Sequence, residues 1–114
     1  METCFDNNVP IYMQISKIIE IRIISGKYSP GERLPSVRDL AFILKANPNT
    51  VQRALVDLES TGLIYTERTN GKFVTTNSTL INNHKLQYAK TLAKDYLNDM
   101  ETIGFNGDEA KRFL

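Results

Sequence analysis

Only three residues, Lys45-Ala46-Asn47, separate two stretches of helical periodicity, and no other feature limits the fold as tightly. The first stretch begins at Ser36, where Asp39 three residues on makes a capping-box-like pair. It sets Val37, Leu40, Ala41 and Leu44 on one face. The second runs from Pro48 to about Ser60, with Asn47 as its cap, Pro48 in its first turn and Gly62 beyond its end. Two short helices joined by so tight a turn predict a helix-turn-helix.

The flanks extend that unit. An earlier helix should start near Pro10, with Ile11, Ile15, Ile18, Ile19 and then Ile23 or Arg22 as its apolar stripe. Ser25-Gly26 stops it, Gly26 being suited to a left-handed cap. "KYSPGERLP" reads as loop, because Pro30-Gly31 is a turn signal and Pro35 blocks helix before it. After Gly62 the period changes from about 3.6 to about 2. "LIYTE" and "KFVTT" are β-branched and aromatic runs separated by "RTNG". Asn70-Gly71 is a strong hairpin signal, since both residues tolerate positive φ. Helix, helix-turn-helix, hairpin is the order of a winged helix. The predicted class is mainly α with a small β-hairpin (α+β).

From about Leu80 the chain returns to helix. Leu86, Ala89, Ala93, Tyr96, Met100 and Ile103 recur at heptad-like spacing, and Leu92 and Leu97 widen the seam. So short a run cannot sustain a free coiled coil, so the seam must be buried against something. Gly104 ends the helix, Asn106-Gly107 turns, and "DEAKRFL" suits a last short helix with Asp108 near its start. The expected organisation is a winged helix-turn-helix domain over residues 9–77 and a short C-terminal helical segment over 79–114.

Composition removes whole classes of function. At 114 residues and 41% hydrophobic, the chain is one small globular domain, alone or with a short appendage. The most apolar run, "ISKIIEIRII", is broken by Lys17, Glu20 and Arg22, and so predicts no membrane span. "METCFDNNVP" has no signal-peptide pattern, so a cytoplasmic location is expected. Cys4 is the single cysteine, and His84, on a polar stretch, is the single histidine. These counts argue against a disulfide, a zinc site, a Cys–His nucleophile or a Ser–His–Asp triad. No metal, cofactor or enzymatic activity is expected.

The second helix of the pair carries more chemistry than a solvated face needs. At about 100° per residue, Val51, Ala54, Leu55 and Leu58 fall on one side, and Asn49, Gln52, Arg53 and Val56 on the other. Thr50 and Asp57 sit on a flank. A solvated face would favour Glu, Lys and Ala, whereas these first turns carry Asn, Thr, Gln and Arg. Asn or Gln can pair with adenine and Arg with guanine in a major groove. Net charge is only +1, but across residues 38–53 Arg38, Lys45 and Arg53 face one acid, Asp39. Arg38, in the first turn of helix two, would meet the DNA backbone, and Ser36 is a cap that can also reach a phosphate. The hairpin tip, Arg68, Thr69, Asn70, Gly71 and Lys72, suits a minor groove, Gly permitting close approach. An ordinary exposed turn, and a winged-helix module that binds protein instead of DNA, are the alternatives.

"YSPGERLPSVRDLAFILKANPNTVQRALVDLESTGLIYTERTNGKFV" resembles the N-terminal DNA-binding domain of GntR-type bacterial transcription regulators. The likeness spans about residues 9–77. It rests on P-G-x-x-L-P-S-x-R-x-L-A, the helix start N-T-V-x-R-A-L, the exit L-E-x-x-G-L-I and the wing G-x-F-V. It implies that Arg38, the start of helix three around Asn47, Asn49, Thr50, Gln52 and Arg53, and the wing glycine Gly71 lie at double-stranded DNA. Two departures stand out: Pro48 replaces an arginine common in the family, and Lys72 falls where the wing often has threonine. About 36 residues follow the wing, which is similar to the YtrA-like branch and its short two-helix dimerisation tail. That resemblance implies a homodimeric repressor on an inverted-repeat operator, with the Leu86–Ile103 seam at the dimer interface. The tail offers little volume for a buried ligand, so a small organic effector would have to sit at that interface.

Overall fold

The computed structural model describes residues 5–114; Cys4 lies outside them. The described chain divides into two compact units that part between Asn82 and Asn83. The elements run α1 (Ile11–Ile24), α2 (Val37–Leu44), α3 (Pro48–Thr61), β1 (Ile64–Glu67), β2 (Gly71–Val74), α4 (Ser78–Thr102) and α5 (Gly107–Lys111).

In the first unit α1 and α2 both pack on α3. Ile15, Ile19 and Ile23 of α1, Leu40 and Leu44 of α2, and Val51, Leu55 and Leu58 of α3 are fully buried with Leu63, Ile64 and Val74 from the hairpin. Burying each such side chain contributes about 1.5–3 kcal/mol. Ile11, one turn before Ile15, is exposed, so the predicted stripe starts a turn later than its spacing suggested. Ser16, outside that stripe, is buried because its hydroxyl donates to Asp57 Oδ2 of α3 at 2.7 Å.

The tight turn is built from three backbone devices. Ser36 Oγ accepts the Asp39 N–H at 3.1 Å, which starts α2. Lys45 takes the left-handed conformation at φ 53°, ending α2 where a glycine is more usual. Asn47 Oδ1 then accepts the Asn49 N–H at 2.8 Å, with Pro48 as the first residue of α3.

The hairpin pairs Ile64 with Val74, Tyr65 with Phe73, Thr66 with Lys72 and Glu67 with Gly71. Its connection is a three-residue loop, Arg68 to Asn70, one residue shorter than the RTNG separation read from the sequence, because Gly71 pairs with Glu67 in the ladder. The Asn70 N–H donates to the Glu67 carbonyl at 3.1 Å, and only Gly71, at φ 103°, takes the positive region. A β-turn followed by one left-handed glycine needs only that one residue with positive φ. The preceding "loop" is also more ordered than it reads. Leu34 N–H donates to the Lys72 carbonyl at 2.8 Å, Val74 N–H to Glu32 at 2.9 Å and Gly31 N–H to Val74 at 2.9 Å. Arg33 bridges Phe73 in antiparallel sense, so residues 31–34 cover the open edge of β2.

In the second unit Tyr96 Oη donates to the carbonyl of Ala110 at 2.6 Å, and Ala110 is fully buried. Asn106, expected in a turn, is the N-cap of α5. Its Oδ1 accepts the Glu109 N–H at 2.9 Å, while Glu109 Oε1 accepts the Asn106 N–H at 3.1 Å. α4 has no buried residue over its 25 positions. Leu86, Leu92 and Ile103 are 52%, 56% and 69% exposed; Ala89 and Ala93 are exposed, and Tyr96, Leu97 and Met100 half-buried. Among the described residues no helix is long and apolar enough to cross a membrane, and no three His, Asp, Glu or Cys side chains converge on a metal position.

Candidate nucleic-acid interface

Capping decides which groups at the start of α3 are left over. Asn47 uses its side chain on the Asn49 N–H, so its own oxygen is spent within the helix start. The side chains of Asn49 and Gln52 are exposed and make no hydrogen bond among the described residues; Thr50 is half-buried. The bland half of the helix is the rear one. Asp57 accepts from Ser16 of α1, and Glu59 accepts from Thr66 of β1, so both acids are tied to neighbouring elements.

Arg53 departs from a plain solvent-facing position. Its guanidinium carbon lies 3.9 Å from the centroid of the Tyr12 ring, a cation–π stack that rests α3 on α1. The flat face is used by the ring, and the N–H edge keeps its donors. Arg38, one residue into α2, is exposed and without hydrogen bond or ion pair among the described residues.

A cleft of about 400 Å³ runs between the start of α2 and the hairpin, lined by Arg33, Pro35, Ser36, Leu55, Arg68, Gly71 and Lys72 among others. It brings Ser36 and the wing residues Arg68, Gly71 and Lys72 together. Arg68 is exposed and unpaired among the described residues, and Asn70 donates to Glu67 Oε2 at 3.2 Å. Lys72 is committed elsewhere: its Nζ lies 2.8 Å from Thr66 Oγ1 and 3.4 Å from Glu59 Oε2. The Thr66 hydroxyl holds the Glu59 carboxyl below its ordinary value, against desolvation and with the Lys72 charge adding to it.

Sequence reasoning passes over three participants. Tyr12 looks like one more residue of an amphipathic helix. Arg33 looks like loop, and only the edge pairing with β2 carries it to the wing. Glu59 reads as a solvated acid, and its partners Thr66 and Lys72 are 7 and 13 residues away.

The same arrangement of elements occurs in known proteins. The family described as "Bacterial regulatory proteins, gntR family" matches residues 11–74, more than half of the chain. The chain belongs to the GntR family. It is a DNA-binding transcription regulator, and its GntR relatives are regulators, not enzymes. It is 37% identical to the HTH-type transcriptional repressor YtrA of Bacillus subtilis over 99 residues, covering 86% of this chain and 76% of that one. A GntR family transcriptional regulator from Listeria monocytogenes superposes with TM-score 0.87 at 38% identity, covering 96% of each chain. The DNA-binding domain of AraR, solved in complex with operator ORX1, matches with TM-score 0.57 at 28% identity, over 66% of this chain and 92% of that one. The mainly helical fold with one antiparallel hairpin is thus the GntR winged helix, whose hairpin the period change after Gly62 predicts.

Proposed function

We propose that this GntR regulator is a homodimeric repressor acting in the cytoplasm on an inverted-repeat operator. In this reading α3 enters the major groove with Asn49, Thr50, Gln52 and Arg53 toward base edges. Ser36, Arg38 and the N–H groups at the α3 start, near Asn47, meet the phosphate backbone. The wing lies at the minor groove with Arg68, Asn70 and Gly71. Residues 9–77 act as the DNA-binding domain and residues 79–114 as the dimerisation tail.

The observation that carries the reading is an unfilled one on each unit. On the first, Asn49, Gln52, Arg38 and Arg68 are exposed, hydrogen-bonding groups with no partner among the described residues. On the second, Leu86 and Leu92 of α4 and Ile103 just beyond its end stand in solvent, and α4 has no buried residue. An isolated helix of that kind is marginal in water, and a second copy of the seam would cover it. Two-fold symmetry then offers two recognition helices to two half-sites. The repressor sign draws on the Bacillus subtilis relative that bears that name.

Selection of bound duplexes from a random-sequence pool tests the operator. An inverted repeat is expected, and a single asymmetric site would overturn the dimeric arrangement. Light scattering on the full chain tests assembly directly. A dimer at micromolar concentration that Leu92→Asp converts to monomer is the expected result.

A further inference from the structure

Resting on the DNA-binding reading above, we propose that Arg33 is the wing's phosphate-facing cation, and that Lys72 is a positioning residue that holds the hairpin on the rear of α3. The two cations stand on neighbouring strands but in opposite situations. The Lys72 side chain is 17% exposed, and its ammonium, the Thr66 hydroxyl and the Glu59 carboxylate form a closed set. Nζ reaches Thr66 Oγ1 at 2.8 Å and Glu59 Oε2 at 3.4 Å, and Thr66 Oγ1 donates to Glu59 Oε1 at 2.6 Å. Swinging Lys72 to a phosphate would leave Glu59 without its cation beside a polyanion. Glu59, a carboxylate at neutral pH, is held further toward ionisation by the Thr66 hydroxyl, and so keeps its hold on Lys72.

Arg33 is exposed and has no hydrogen-bond or ion-pair partner among the described residues. Its base is fixed by the bridge to Phe73 and by the neighbouring Leu34 N–H on the Lys72 carbonyl. Its guanidinium lies across Gly71: a Cβ built there would stand 3.3 Å from Nε and 3.5 Å from Nη2. Gly71 therefore serves twice, taking φ 103° and leaving a flat seat for the fork. An anchored guanidinium with all its donors unspent, at the mouth of a cleft shared with Ser36 and Arg68, has the geometry for a phosphodiester.

Salt titration of binding to a labelled duplex carrying the selected site separates the two roles. Each phosphate contact contributes about 0.9 to the slope of log affinity against log salt. Arg33→Gln is expected to lower that slope by about this amount, and Arg33→Lys to restore it. Lys72→Met should weaken binding with the slope unchanged, and the double variant with Glu59→Gln should bind no worse than the weaker single. Lys72→Gln, which keeps a donor for Thr66, replaces Lys72→Met if circular dichroism shows the latter unfolded. A slope lowered by Lys72→Met or Lys72→Gln but not by Arg33→Gln would overturn the assignment. Unchanged slopes in all these variants would overturn it too, leaving DNA binding intact. A wild-type protein with no salt dependence would instead remove the proposed placement of α2 and the wing at the phosphate backbone, on which it rests.

Discussion

The ring of Tyr12 is the shelf on which Arg53 lies, with 3.9 Å between the guanidinium carbon and the ring centroid. A side chain expected to reach a base is therefore braced by a different helix before any DNA arrives. Tyr12→Leu keeps apolar bulk against the core and removes the ring quadrupole. A double-mutant cycle with Arg53→Ala, read by urea unfolding, should give a coupling of about 0.5–1 kcal/mol. A coupling indistinguishable from zero would mean the stack does not hold Arg53. On the selected operator, Arg53→Ala should cost about 1–3 kcal/mol and relax the preference at one base pair.

Arg38 and Gln52 should fail in different ways. Arg38→Ala is expected to weaken selected and random duplexes by the same factor, since a phosphate contact carries no sequence information. Gln52→Ala should spare random DNA and lose about 1–3 kcal/mol of discrimination at one position of the operator. Competition binding with the two duplexes distinguishes them. Equal losses on both duplexes for both variants would refute the division of roles.

Gly62 and Gly26 take nearly the same φ, +85° and +84°, in different surroundings. A Cβ at Gly26 meets nothing within 4 Å, whereas one at Gly62 stands 3.1 Å from Leu80 Cδ2. Gly26→Ala should cost about 1–2 kcal/mol, the conformational penalty alone. Gly62→Ala should cost more, because Leu80 must also give way. Thermal denaturation of the pair checks the order, and equal losses would show that Leu80 yields freely.

Glu59 gives the wing tether a pH dependence of known sign. Its carboxyl is depressed in the folded protein, first by the Thr66 hydroxyl and then, against desolvation, by the Lys72 charge. The tether's contribution is thus complete above the ordinary carboxylate range and is lost as pH falls through the depressed value. Glu59→Gln should flatten that acid-side loss while changing stability by at most about 1 kcal/mol at neutral pH, as suits a partly exposed pair. Urea midpoints measured from neutral to acid pH test this. An unchanged acid limb in Glu59→Gln would place the loss elsewhere.

What could be read from the chain was what local physics dictates. The helices of the first unit follow from apolar spacing and from caps such as Ser36 and Asn47, and the hairpin from alternation around Asn70-Gly71. The buried face of α3, Val51, Ala54, Leu55 and Leu58, is the one the helical angle assigns. What was illegible depends on partners distant in sequence. Ser16 looks like a break in an isoleucine stripe until Asp57, 41 residues on, accepts its hydrogen. Lys72 looks like a free wing cation until folding sets it beside Glu59. The hairpin loop is one residue shorter than the RTNG separation, because Gly71 enters the ladder opposite Glu67. Phe42, 87% exposed on α2, has no structural explanation.

The rear of α3 is held by side-chain bonds, Asp57 to Ser16 and Glu59 to Thr66 and Lys72, while the side chains of Asn49 and Gln52 near its start are bonded to nothing among the described residues. Changes at those two positions leave the anchoring bonds and the core untouched. With those two side chains reading bases as proposed, one copy left by a gene duplication can drift to a new operator without first passing through a misfolded ancestor.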